Sequence, residues 1–357
     1  MRHLVCVLLL LSGQAFAQAP APLYAASFDE STDRWTPLEA GVALPTVQSE
    51  MSQSGAALRH DYSTPTPALA GSIARLYPGD LTGARSIDFW CRTSAEAILG
   101  LAVQEQGGGR YISMFYSPAN RWQHVEMSVD RLRLADDTND DNNTLDWDQV
   151  VAVALIDVSV ALPFRGPVAG DRSLFVDEFR ILTTEAPTAY ATGEQLPYVL
   201  DDFQADYTTW LPLLGSLEVD STVGELVWTY GPPEATPALG AIVLMTGNLP
   251  AADSGHLVLT FRSARATQFI VSLQEENRQP EGERGFNAVV QAVGGPEPQT
   301  VALSLADFRL EDKLVGVQDG PLRLDRVNRL TILDLSLLAG QVQADNTVHL
   351  QEVLLTP

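Results

Sequence analysis

The chain carries a second copy of itself, and this duplication limits the possible folds more than any other feature. FDESTDRW at 28–35 has a counterpart in FQADYTTW at 203–210, with Phe28, Trp35 and Pro37 opposite Phe203, Trp210 and Pro212. ALRHDYSTP (57–65) parallels ELVWTYGPP (225–233), and CRTSAEAILGLAVQEQ (91–106) parallels FRSARATQFIVSLQEE (261–276). QHVEMSVDRLRLADD, LDWDQVVAVALIDVS and FVDEFRIL find partners, in the same order, in QTVALSLADFRLEDK, LRLDRVNRLTILDLS and LQEVLLTP. The offset stays close to 170–177 residues. That period is too long for a solenoid repeat, so each copy has the length of a domain. The expected division is one domain over 23–182, a Thr/Ala/Pro/Gly-rich linker over 183–197, and a second domain over 198–357.

Within each copy the hydrophobic period is two. Ile87, Phe89 and Cys91 share one face of their segment, while Asp88, Trp90 and Arg92 share the other. Leu257, Leu259 and Phe261 repeat the inward set, and Leu99, Leu101, Val103 and Val125, Met127, Val129 extend the pattern. This is strand periodicity, with turn-rich segments such as YPGDLTG and QGGGR between the runs. The predicted class is all-β: two tandem antiparallel β-sandwiches. Trp35, Trp210 and Cys91 are expected to pack inward.

Composition narrows the function. The formal charge is −23 over 357 residues, with Lys313 the single lysine, so nucleic acid is excluded as a partner and anionic membranes are disfavoured. Residues 1–17 read as a secretory signal peptide: Arg2 and His3, an apolar run too short to span a bilayer, then Ala15 and Ala17 as an A-x-A cleavage signal. The expectation is export to a periplasm or the extracellular space, without membrane insertion. Past that segment Cys91 is the one cysteine, which rules out an internal disulfide.

The ordered blocks DDF…W, ALRHDY, DLTGARSIDFWCRT, VEMSVDRL and LFVDEFRI resemble the galactose-binding-like jelly roll, which includes many carbohydrate-binding modules and CIA30-type domains. The resemblance covers nearly all of the first copy and the second more loosely. It implies a structural calcium near the first and last strands, with Asp29, Glu30, Asp177 and Glu178 as ligands in the first copy. It also implies glycan contacts through aromatic rings and polar groups, for which Trp90, Tyr116, Trp122 and Trp147 are the ring candidates and Arg92 the polar one, Tyr116 being expected at the surface. Independently, the loop DDTNDDNNTLDWD places Asp137, Asn139, Asp141 and Asp148 at positions 1, 3, 5 and 12, a spacing that can converge on calcium.

Nothing in the sequence matches a nucleophile elbow, an H-E-x-x-H helix or a phosphate loop, and its histidines are scattered singly. The expected function is therefore an exported, non-catalytic binding protein, taking a polysaccharide or oligosaccharide through the first domain with calcium in support. A cell-envelope or extracellular assembly protein with a protein partner is the alternative. A carbohydrate-active enzyme without a recognisable motif comes third.

Overall fold

Where hydrophobicity alternates, the chain pairs into antiparallel ladders. The structure, a computed structural model, describes residues 21–357 except 51–52, 54, 65–70, 136, 160–169, 187–195, 233–239, 247–248, 250–253, 276–283, 312–319 and 339–344. The signal-peptide reading and the middle of the linker fall outside the described residues.

The first half contains β1 (Tyr24–Ala26), β2 (Trp35–Pro37), β3 (Thr46–Gln48), β4 (Ala57–Thr64), β5 (Ser72–Leu76), β6 (Ser86–Thr93), β7 (Ala97–Glu105), β8 (Arg110–Ser117), β9 (Gln123–Ser128), β10 (Arg133–Leu134), β11 (Val150–Asp157) and β12 (Gly170–Leu182). They form two six-stranded sheets. One runs β3-β4-β12-β6-β9 with β1 also on β12; the other runs β2-β5-β11-β7-β8-β10. The second half contains β13 (Tyr198–Asp201), β14 (Trp210–Pro212), β15 (Ser216–Asp220), β16 (Glu225–Tyr230), β17 (Ala241–Met245), β18 (His256–Ser263), β19 (Ala266–Glu275), β20 (Gly285–Val293), β21 (Gln299–Ser304), β22 (Arg309–Leu310), β23 (Val327–Asp334) and β24 (Asn346–Thr356). Its sheets run β15-β16-β24-β18-β21, with β13 on β24, and β14-β17-β23-β19-β20-β22. Replacing every first-half strand by the twelfth after it converts one pair of sheets into the other. The chain is a tandem pair of jelly-roll sandwiches, and the duplication read from the sequence is a duplication of topology.

Each sandwich closes over its own core. Leu58, Phe89, Phe115, Val153 and Phe179 fill the first; Trp228, Leu259, Phe269 and Ile332 fill the second. Cys91 is fully buried among the first set. Burying one such side chain contributes roughly 1.5–3 kcal/mol. The repeated opening motif has a local cause. Phe28 and Phe203 both adopt left-handed backbone, φ 61° and 55°. Downstream, Trp35 and Trp210 are buried, and each indole Nε1 donates to an oxygen of the strand before it, Tyr24 Oη and Asp201 Oδ2, at 3.1 Å.

A second repeated feature is a buried aspartate. Asp157 accepts from Tyr62 Oη at 2.7 Å, from the Ser159 amide at 3.0 Å and from Arg172 at 3.0 Å. Asp334, at the same place in the second half, accepts from Tyr230 Oη at 2.6 Å, Thr267 Oγ1 at 2.7 Å, the Ser336 amide at 2.9 Å and Arg265 at 3.3 Å. The C-terminal end of β11, and of β23 in the second half, is thereby tied to the facing sheet.

The halves also touch. The Tyr116 amide donates to Thr208 O at 3.0 Å, and Tyr207 Oη donates to Glu126 O at 3.2 Å. Ile98 and Tyr116 join the second core, while Ala205 and Tyr207 join the first. Among the described residues no helix is long and apolar enough to cross a membrane.

Candidate functional site: two outer faces and a carboxylate node

The first sheet of the first half turns Asp88, Trp90 and Arg92 outward, as alternation predicts. Cross-strand register places Trp90 opposite His124, and their rings stack 4.6 Å apart at 14°. Arg92 lies 4.3 Å from the Phe175 ring centroid and 5.5 Å from that of Trp122, and it pairs with Glu50. Trp90, His124 and Trp122 are half-buried and Phe175 is buried, so none of these rings stands open. Beside them, Asp88 Oδ1 meets His124 Nε2 at 3.1 Å, and Arg180 lies 3.2 Å from Asp88. The hydrogen bond to Asp88 raises the His124 pKa above the ordinary imidazole range. Burial pushes Asp88 upward, but His124 and Arg180 outweigh it and hold its pKa low. Asp88, His124 and Glu126 keep their ligand atoms within 4.8 Å of one another, close enough to share a metal ion.

Two of the aromatic candidates sit elsewhere. The expected exposure of Tyr116 is corrected: it is 1 % exposed, because the second half covers the outer face of β8 at this point. Trp147 begins a short 3-10 turn and packs, half-buried, against the first core, as Leu324 does at the matching turn of the second.

The other sheet of the first half carries a groove of about 310 Å³ on its outer face. Its floor is built from small side chains, Ala74, Ala102, Ala152 and Ala154, with Gln104 and Arg110 at one end. Leu38, Leu76 and Tyr77 form the rim and are 39 %, 41 % and 75 % exposed. Tyr77 has φ 48°, held by its amide donating to Val151 O at 2.7 Å. A bulky residue in left-handed backbone is costly and often marks a site. Sequence reading passed over Tyr77 because it lies in the turn after β5, where alternation carries no information. The second half opens a groove of about 570 Å³ on the equivalent face, with Gln274, Asn287, Arg329 and Thr331 in its lining and Met114 of the first half at its edge.

Two carboxylate groups bear on calcium. Asp177 is fully buried and accepts from the Gln53 amide at 3.4 Å; Asp29 accepts from the Ala56 amide at 3.1 Å. Both carboxylates are thus held by amides of one short stretch of chain, those of Gln53 and Ala56. A Cβ on Gly55 would come within 1.4 Å of Asp29 Oδ1, and its φ of +73° is left-handed backbone that favours glycine. Glu30 is exposed, and Glu178 takes left-handed backbone, φ 51°. In the acidic loop, Asp137 is drawn to Arg110, Asp141 is exposed, and Asp148 lies exposed in the turn after it. Asn139, between them, is exposed as well. The loop instead brings Asp140 and Asp146 to Glu105 of β7. Burial pushes the Glu105 carboxyl above its ordinary range, and the charges of Asp140 and Asp146 add to that push.

No protein-family model matches the chain, and no curated protein does. Among solved structures, it is similar to a family 11 carbohydrate-binding module from Clostridium thermocellum in complex with a β-1,3-1,4-mixed-linked tetrasaccharide, at 15 % identity and a TM-score of 0.35, covering 46 % of this chain and 96 % of that one. A family 11 module of a cellulosomal cellulase from the same organism gives 15 % identity, a TM-score of 0.33 and coverage of 43 % and 90 %. An exo-β-agarase gives 14 % identity and a TM-score of 0.35, over 51 % of this chain and 27 % of that one. The assignment of the fold rests on the four sheets and their registers.

Proposed function

We propose that the protein is an exported, non-catalytic glycan-binding protein whose first half holds a polysaccharide or oligosaccharide in the groove beside Tyr77. The observation that carries this reading is an exposed ring on strained backbone at the mouth of a smooth, small-residue groove, with polar groups at its end. The Tyr77 ring offers a stacking platform for the apolar face of a sugar, and Gln104 and Arg110 offer hydrogen bonds to hydroxyls. Calcium at Asp29 and Asp177 would stiffen the sandwich without touching the sugar. A protein partner is the second reading, favoured by the apolar rim of Leu38, Leu76 and Tyr77.

Affinity electrophoresis of the chain without residues 1–17, against soluble glucans, galactans and xylans, tests the proposal. At least one polymer should retard it, and Tyr77→Ala should weaken binding by roughly tenfold, about 1.4 kcal/mol. Trp90→Ala, on the opposite sheet, should leave binding unchanged. Loss with Trp90→Ala but not with Tyr77→Ala would move the site to the other face. Free migration through every polymer would defeat the glycan reading.

A further inference from the structure

One strand edge is closed in the first half and open in the second. β10 covers the start of β8, and further along β8 the Tyr116 amide donates to Thr208 O, so a segment of the second half extends that edge. The second half repeats only the first part. β22 pairs with Phe286 and Asn287 of β20, and the Glu311 amide donates to Gly285 O at 2.9 Å. Gln104 pairs with Arg110 as Gln274 pairs with Gly285, so counting along each strand puts Gln291 where Tyr116 stands. Among the described residues no strand pairs with β20 on that side beyond Asn287.

The open stretch presents Val289, Gln291 and Val293. Their backbone groups turn away from β19 and toward Gln299, whose Nε2 donates to Gln291 O at 2.8 Å and whose Oε1 accepts from the Val293 amide at 2.9 Å. Their side chains stand on the outer face, with Gln291 exposed and Val289 and Val293 exposed by 55 % and 76 %. Native sheets protect a free edge with charge, proline or a bulge, because unpaired backbone groups invite another strand. β20 reads GFNAVVQAV, without a charged residue or a proline, and it follows β19 from Gly285 to Val293 with no shift in register. Among the described residues, the Gln299 side chain alone closes it.

We propose that this edge is a docking surface for a second copy of the chain, the two β20 strands pairing antiparallel about a two-fold axis at Gln291. Centring the axis there brings all three open residues into the pairing and replaces the two bonds from Gln299 by bonds between main chains. It sets Val289 of each copy against Val293 of the other, a favourable cross-strand pair of β-branched side chains. Gln291 meets its own counterpart, so no like charges are opposed. The assembly closes as a dimer. Head-to-tail addition would have to reuse the contact between the halves, and the matching surface is too polar for it. Ala205 and Tyr207, which enter the first core, correspond to Glu30 and Thr32 in the first half. β20 lies in the other half from Tyr77, so dimerisation and glycan binding stand or fall separately.

Sedimentation equilibrium of the chain lacking residues 1–17 is the test. A reversible dimer is expected, with a dissociation constant of roughly 1–100 μM, as suits a small interface. Salt should strengthen it, because the formal charge of −23 on each copy opposes association until it is screened. Gln291→Lys should weaken the dimer by roughly fivefold, since it sets two ammonium groups face to face even as it lowers the overall negative charge. Val289→Lys combined with Val293→Glu places opposite charges across each pair and should keep the dimer, whereas Val289→Lys combined with Val293→Lys should weaken it further. All three positions are exposed, and an unchanged melting temperature of each variant checks that it folds. A chain that stays monomeric well above that concentration range would overturn the proposal. So would a dimer indifferent to Gln291→Lys, or one that the two double variants weaken alike.

Discussion

Replacing Asp334 with alanine is expected to cost the second sandwich roughly 3–5 kcal/mol, the loss that follows when one partner of a buried charged network is removed. Five donors lose their acceptor at once: Tyr230 Oη, Thr267 Oγ1, the Ser336 amide and hydroxyl, and Arg265. Tyr230 and Thr267 are buried and have no water to turn to. A donor stranded in this way costs about 1–3 kcal/mol, and the effects overlap because the groups share one site. Asp157→Ala should do the same to the first sandwich, since Tyr62 is buried and the Arg172 side chain is only 10 % exposed. A domain of ordinary stability, about 5–15 kcal/mol, would then melt far earlier than its neighbour. Calorimetry should resolve two transitions, the lower one belonging to the half that carries the substitution. Asp→Asn at either position keeps one acceptor oxygen and should cost less. A loss below about 1 kcal/mol for both alanine variants would show that these aspartates are ornaments of the fold rather than ties within it.

Those ties show what the sequence could and could not reveal. Tyr62 and Tyr230 lie in matching blocks, as do Asp157 and Asp334, so an alignment of the halves pairs each residue with its counterpart. It does not say that tyrosine meets aspartate, because that contact closes across 95 residues in one half and 104 in the other. Alternation is a local signal. It correctly turned Trp90 and Arg92 outward and Cys91 inward, because the side of a strand is fixed by its neighbours along the chain. It misjudged Tyr116 for the same reason: alternation names the face of a residue but not what covers that face, and here the cover is Thr208 of the other half. The acidic loop shows the same limit: spacing from Asp137 to Asp148 does not reveal that the Asp146 amide bonds to Glu105 at the end of a distant strand. Tyr77 gave no signal because turns have no period to read.

Raising the pH from about 4 to 7 should weaken the native protein by roughly 2–2.5 kcal/mol relative to an Asp201→Asn variant. Asp201 is 2 % exposed, and burial raises its pKa from 3.8 to about 6 despite hydrogen bonds from the Phe203 amide and Trp210 Nε1. The sign follows from proton counting. Between these two values the folded state holds a proton that the unfolded state has released. Stability therefore falls as pH rises through this window, and the full cost of a buried anion is present above about 6. Asp334 behaves in the opposite sense. Burial pushes it up, but the bonds from Ser336, Tyr230 and Thr267 prevail and hold its pKa below 3.8. Its contribution is intact above that value and fades only in stronger acid. Two buried aspartates of one sandwich thus respond to pH in different windows with opposite slopes. The difference arises because Asp334 has an arginine and four neutral donors, whereas at Asp201 burial outweighs the Phe203 amide, the charge of Arg131 and the Trp210 indole. Losing one acceptor in Asp201→Asn adds a cost that is the same at every pH, so the informative quantity is the slope. Urea unfolding followed by tryptophan fluorescence at pH 4, 5, 6 and 7 measures it for wild type, Asp201→Asn and Asp334→Asn. A wild-type minus Asp201→Asn difference that stays level across that range would mean that Asp201 ionises in the folded protein as easily as in the unfolded one.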